Sequence, residues 1–167
     1  MADKYLLIFK IKQMGLDISH NTWHGAYSAF SAWRTKIAFL AGFPPLELME
    51  GFYWPNEHNC FTLLDYKYPK GDELDMSELR RIRERLPIKW DLFGNHPLVE
   101  LLTHSDCDGY INYSKCNKIA DELEKLLPLL EKEEDQNGHI GNWKAKTETF
   151  IAGLRLAAKN KEKIQFC

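Results

Sequence analysis

Three segments of this chain repeat apolar residues at helical spacing, and no other feature restricts the fold as much. Phe30, Trp33, Ile37 and Leu40 follow the i, i+3, i+7 stripe of an amphipathic helix over residues 26–41. Ile119, Leu123, Leu126, Leu127 and Leu130 mark a second helix, in which Pro128 is expected to act as a kink or an end. Trp143, Thr147, Phe150, Ile151 and Leu154 mark a third over about 142–160. Each such face must be buried against another element, which commits the chain to a layered helical core.

The punctuation between these stripes completes the reading. Gly42 and Pro44-Pro45 close the first helix, because proline removes a donor and turns its predecessor away from helix. Asp75 with Glu78 resembles a capping box opening a helix at about 76–86, which Pro87 stops. Pro97 opens a short helix carrying Leu98, Val99, Leu101 and Leu102. Residues 4–11, with the block Tyr5-Leu6-Leu7-Ile8-Phe9, predict a strand, and Cys60 to Leu64 another. A last short strand at Ile164-Gln165-Phe166 is expected to pair with the first, and Asp135 to Gly138 to form a loop. The expected fold is α+β and mainly helical: four or so amphipathic helices with a small sheet of short strands. At 167 residues it makes one globular domain, 1–167, with 1–13 as an N-terminal strand extension.

Charge and cysteine usage narrow the setting. Lys and Arg number 22 against 24 Asp and Glu, a net charge of -2, so the broad positive field of a general nucleic-acid binder is excluded. Residues 139–167 carry six Lys/Arg against two Glu, read as a solvated helix face. Cys60, Cys107, Cys116 and Cys167 form no C-x-x-C pair and suit free thiols in a reducing compartment. With no apolar run near the ~20 residues that span a bilayer, a cytoplasmic protein is expected. Met14 to Ser19 matches a myristoylation spacing, but thirteen residues precede it.

Two stretches carry pointed chemistry. His104-Ser105-Asp106-Cys107-Asp108-Gly109-Tyr110-Ile111 resembles the EF-hand calcium loop. With Gly109 on the turn position, Asp106 and Asp108 take the third and fifth ligand positions and Asn112 the ninth. The loop departs from the pattern where His104 stands at the first position and Lys115 replaces the bidentate glutamate of the twelfth. A metal-free turn explains the residues as well, since aspartates accept backbone N–H bonds and glycine takes the left-handed turn. A calcium site and a softer metal are the alternatives.

The second stretch runs from Asp17 to Tyr27. If helical, His20 and His24 stand one turn apart, the i, i+4 spacing of two imidazoles on one zinc ion; if not, they are structural or capping residues. Asn21 occupies the place of a zincin's glutamate, which excludes that protease chemistry. Aromatics make up 13% of the chain, and most must be core. At the edges of that core, Trp23, Tyr27, Tyr53 and Trp54 could line a cleft, and Arg34 could reach a carboxylate or phosphate bidentately. Phosphate-loop, dinucleotide and G-x-S-x-G signatures are absent.

Gly15 to His20 (GLDISH), Trp23 to Phe30 (WHGAYSAF), Trp33 to Ala38 (WRTKIA) and His104 to Gly109 (HSDCDG) together are similar to a family of small uncharacterised proteins of bacteria and their phages. The resemblance spans much of Gly15 to Leu154, carries no established activity, and implies a start near Met14. A phage setting implies a role in host interaction or signal sequestration over one in metabolism.

Three functions follow. The first is a non-enzymatic binding module for a small ligand, an anion among the candidates, or for a host protein, with Trp23, Tyr27, Arg34 and His104 as ligand-binding residues. The second is a metal-dependent hydrolase in which His20, His24, Asp106 and Asp108 hold a divalent ion, calcium or zinc. The third is a structural protein that forms oligomers. No cofactor is required by the first or third, and none of them needs a membrane.

Overall fold

The computed structural model describes residues 15–53, 87–131 and 142–167. The strands expected at 4–11 and 60–64, the 1–13 extension, the 76–86 helix, the 135–138 loop, Trp54 and Cys60 lie outside the described residues. What is described is a mainly helical α+β fold with four helices and two small antiparallel two-stranded sheets.

The helices fall where the stripes put them. They are α1 (Tyr27–Leu40), α2 (Pro97–Leu102), α3 (Tyr113–Glu131) and α4 (Trp143–Asn160). Helix α3 buries Cys116, Ile119, Ala120, Leu123, Leu126 and Leu130 on one face and continues through Pro128, which therefore does not end it. Asn142 caps α4 by accepting from the Ala145 N–H at 3.0 Å. Among the described residues the α3–α4 pair is the most extensive helix contact, and α1 lies against both: it meets α3, and its rings stack on Phe150 of α4.

The strands are β1 (Leu16–Ile18), β2 (Trp23–Gly25), β3 (Tyr110–Ile111) and β4 (Ile164–Gln165). β1 and β2 form a hairpin pairing Asp17 with His24 and Ile18 with Trp23. Its turn runs through His20 (φ 59°) and Asn21 (φ 55°), with the Thr22 N–H donating to Ser19 O at 3.2 Å. Two consecutive positive φ values suit the right-handed twist of a tight hairpin. The C-terminal strand β4 pairs with β3, and Phe166 and Cys167 bridge onward to Ile18 and Asp17. The chain end thereby joins the hairpin to the loop before β3. Gly153 lets the hairpin seat on α4: a Cβ there would stand 2.9 Å from Thr22 Cα.

Among the buried side chains, Trp23, Phe30, Trp33, Phe150 and Phe166 form one aromatic cluster with ring centroids 4.6–6.3 Å apart. Trp33 keeps its polar edge satisfied, its Nε1 donating to Thr147 Oγ1 at 2.9 Å. A second, more open cluster joins Phe43, Phe52, Trp90 and Phe93. Among the described residues no helix is long and apolar enough to cross a membrane.

Candidate functional site

Arg34 is the residue around which the site is built. Helical spacing from Phe30 places it on the buried face of α1, and its side chain is only 3% exposed. A guanidinium there must find acceptors, and the segment after α2 supplies them. Arg34 Nη1 donates to His104 O at 2.6 Å and to Leu102 O at 3.4 Å, the carbonyls at the open end of α2. Arg34 Nη2 pairs with the Asp106 carboxylate. The positive charge thus sits at a helix C-terminus, where the macrodipole favours it. Burial lowers the pKa of Arg34 from its ordinary value, and Asp106 opposes that shift. The guanidinium carbon lies 4.9 Å from the Phe30 ring centre and 5.7 Å from that of Phe52. Its Nε is buried with no hydrogen-bond partner among the described residues.

His104 is held just as firmly. Its ring stacks on Phe166 at 3.9 Å, so the C-terminal strand forms its floor. A carbonyl can only accept, so the 2.8 Å contact with Ser105 O means that Nδ1 carries the proton. Nε2 of the neutral ring is then the lone-pair nitrogen. Gly109 (φ 93°) turns the chain beside it, and a Cβ there would stand 3.3 Å from His104 Cε1.

Arg34, His104 and Asp106 form one wall of a cleft of about 510 Å³, and Glu50, Phe52 and Trp90 form the other. That second wall is held by backbone pairing. Glu50 N donates to Ile88 O and Ile88 N to Leu48 O, both at 2.8 Å, and Trp90 Nε1 donates to Glu50 O at 2.9 Å. Glu50 is exposed, and its carboxylate has no ion pair among the described residues.

The other expected site residues lie elsewhere. Trp23 is 3% exposed in the inner aromatic cluster, and its Nε1 is buried with no hydrogen-bond partner among the described residues. It also edges a smaller recess of about 240 Å³ with His24 and Lys146, whose Nζ stands 4.8 Å from the indole. Tyr27, 38% exposed at the start of α1, lies outside the larger cleft. His20 and His24 are not on a helix: one sits in the hairpin turn, the other on β2. The i, i+4 geometry of a shared zinc is therefore not what their spacing produces. His20 Nε2 lies 2.7 Å from Glu162 Oε2 and its Nδ1 2.9 Å from Ser19 Oγ, while His24 Nδ1 pairs across the hairpin with Asp17. The contacts of His20 and Asn160 hold the Glu162 carboxyl below its usual range.

The residues at EF-hand positions also have partners of their own. Asp106 faces Arg34, Asn112 accepts from Ser114 N at 3.0 Å at the start of α3, and Lys115 Nζ pairs with Glu100 at 2.7 Å. Asp108 is exposed on the loop. Among the described residues no three His, Cys, Asp or Glu side chains cluster closely enough to hold a metal ion.

Glu50 and Trp90 were not singled out by sequence reasoning. The available signal for Trp90 was two large aromatics, Trp90 and Phe93, on a segment ended by Gly94, too short to bury them as a helix stripe. Compared with protein-family models, with curated proteins and with solved structures, the chain matches none.

Proposed function

We propose that this protein is a non-enzymatic, cytoplasmic binding module whose small ligand enters the cleft between α1, Trp90 and the 103–106 segment. The observation that supports this reading is the convergence of Arg34, from the aromatic segment, with His104 and Asp106, from the acidic loop, on one concave space. The groups in that space are arranged for holding. Asp106 is engaged by a buried arginine, and His104 donates its Nδ1–H to the Ser105 backbone carbonyl. The rings of Phe52 and Trp90 supply apolar contact surface opposite them.

The test is a fragment screen by NMR on the full chain, read at the indole N–H of Trp90 and the imidazole of His104. A bound fragment is expected to shift both, and to leave the indoles of Trp23 and Trp33 unmoved. If fragments shift only resonances outside the cleft, or none at all across a chemically broad set, the reading is wrong.

A further inference from the structure

The charge layout of the cleft names the class of ligand, an inference that rests on the binding reading above. Its positive group is internal: Arg34 gives three of its five N–H donors to two carbonyls and Asp106, and its side chain is 3% exposed. Its negative groups are accessible, with the Asp106 side chain 34% exposed and the exposed Glu50 carboxylate unpaired among the described residues. Asp106 is already engaged by Arg34, so the exposed Glu50 carboxylate carries the surplus charge of the cleft, which a cation would neutralise and an anion would oppose.

The aromatic wall points the same way. Phe52 and Trp90 stand at 70° with ring centres 6.4 Å apart and form a corner in which, with the Arg34 guanidinium already 5.7 Å from the Phe52 ring centre, the Trp90 face is the one left to a ligand cation. The indole N–H is already given to Glu50 O, which leaves the π face as the part of Trp90 available to a ligand. A ring face attracts a cation within about 6 Å of its centre. Glu50 follows the bridge that pairs Met49 with Ile88, so corner and carboxylate are held by one backbone contact. We infer that the Glu50–Phe52–Trp90 side of the cleft binds a small organic cation, an ammonium group carried on an alkyl or aryl body.

The experiment uses the full chain and three probes: choline, its uncharged isostere 3,3-dimethyl-1-butanol, and benzoate. Tryptophan fluorescence and the Trp90 indole resonance report binding. Choline is expected to bind, the alcohol to bind at least about threefold more weakly, and benzoate not to bind. Glu50→Gln is expected to weaken choline about three- to tenfold, with the circular dichroism spectrum and thermal midpoint unchanged because Glu50 is exposed. Trp90→Leu removes the corner and is expected to abolish choline binding, read by isothermal titration calorimetry because the variant lacks the reporting indole. Equal binding of choline and the alcohol, tighter binding of benzoate, or an unchanged affinity in Glu50→Gln would overturn the inference. A lysine tripeptide binding more than tenfold tighter than choline would overturn it in favour of a protein side chain. If other fragments occupy the cleft and choline does not, only the cation is refuted. If nothing enters the cleft, the binding reading falls with it.

Discussion

The two aromatic clusters are built from the same residue types and end in opposite states. In the inner one, Trp23, Phe30, Trp33, Phe150 and Phe166 are each at most 3% exposed. In the outer one, Phe43 is buried at 7% exposure, Phe52 is 36% exposed, and Trp90 and Phe93 are half-buried. The difference lies in what carries the rings. Phe30, Trp33 and Phe150 sit on the facing stripes of α1 and α4, and Trp23 of β2 and Phe166, bridged to Ile18 just beyond β4, project onto the same layer. Trp90 and Phe93 sit on a short 3-10 turn, Trp90–Phe93, whose three-residue period cannot sustain one broad face. Rings on regular elements close on each other, and rings on turns leave faces turned outward. Arg34 joins the two clusters, its guanidinium lying over Phe30 on one side and Phe52 on the other.

The largest test of this contrast truncates one ring in each cluster. Phe150 is fully buried and touches both Phe30 and Trp33, so Phe150→Ala loses transfer energy and leaves a cavity. The expected cost is about 3–5 kcal/mol. Trp90→Ala removes a ring of similar chemistry that is already half in water, and should cost no more than about 1–2 kcal/mol. Urea denaturation of both variants decides the matter. Equal costs would mean that the outer cluster is core and that its open face has no significance.

How far the sequence discloses this arrangement follows from the range of each signal. A 3.6-residue period is local, so the stripes at Phe30 to Ile37, at Ile119 to Leu130 and at Trp143 to Leu154 disclose α1, α3 and α4 without knowledge of their neighbours. The histidine pair illustrates the limit. His20-x-x-x-His24 has helical spacing, but positive φ at His20 and Asn21 makes a hairpin turn of it, because Ile18 and Trp23 both gain burial from pairing. The cleft is less legible still. Arg34 and Asp106 are separated by 72 positions, and Glu50 and Trp90 by 40, so no local pattern records that they meet. Sequence chemistry marks Arg34, His104 and Asp106 as polar residues in unusual company, and the tertiary fold supplies the opposite wall.

A smaller effect concerns the joint between the clusters. Asp106→Ala leaves the buried Arg34 guanidinium without its counter-charge, a mechanism that costs several kcal/mol when both partners are buried. Asp106 is 34% exposed and water can partly replace it, which reduces the expected loss to about 2 kcal/mol. The double variant Arg34→Met/Asp106→Ala should recover much of that loss, since it removes the stranded charge as well. If the double variant is no more stable than Asp106→Ala alone, Arg34 acts through packing against Phe30 and Phe52, and the ion pair is incidental.

The smallest effect contrasts two thiols on either side of the same divide. Cys116 is fully buried on α3, and burial pushes its thiol up to about 11, whereas Cys107 is exposed on the loop beside the cleft. At pH 8 a thiol reagent should modify Cys107 and Cys167 first, and Cys116 only as the protein unfolds, with peptide mapping to assign each site. The raised value also has a thermodynamic sign. Below the ordinary thiol value of 9.0 both states hold the proton and stability is unaffected. As pH rises from 9 towards 11 the unfolded chain loses that proton while the native one keeps it, so stability falls with increasing pH. The expected contribution is about 1 kcal/mol at pH 10, and it should vanish in Cys116→Ala when urea midpoints are compared at pH 8 and pH 10. An alkaline loss of the same size in both proteins would assign it to other groups. Modification of Cys116 at the rate of Cys107 would show that the helical layer opens as readily as the cleft, contrary to the contrast between the two clusters.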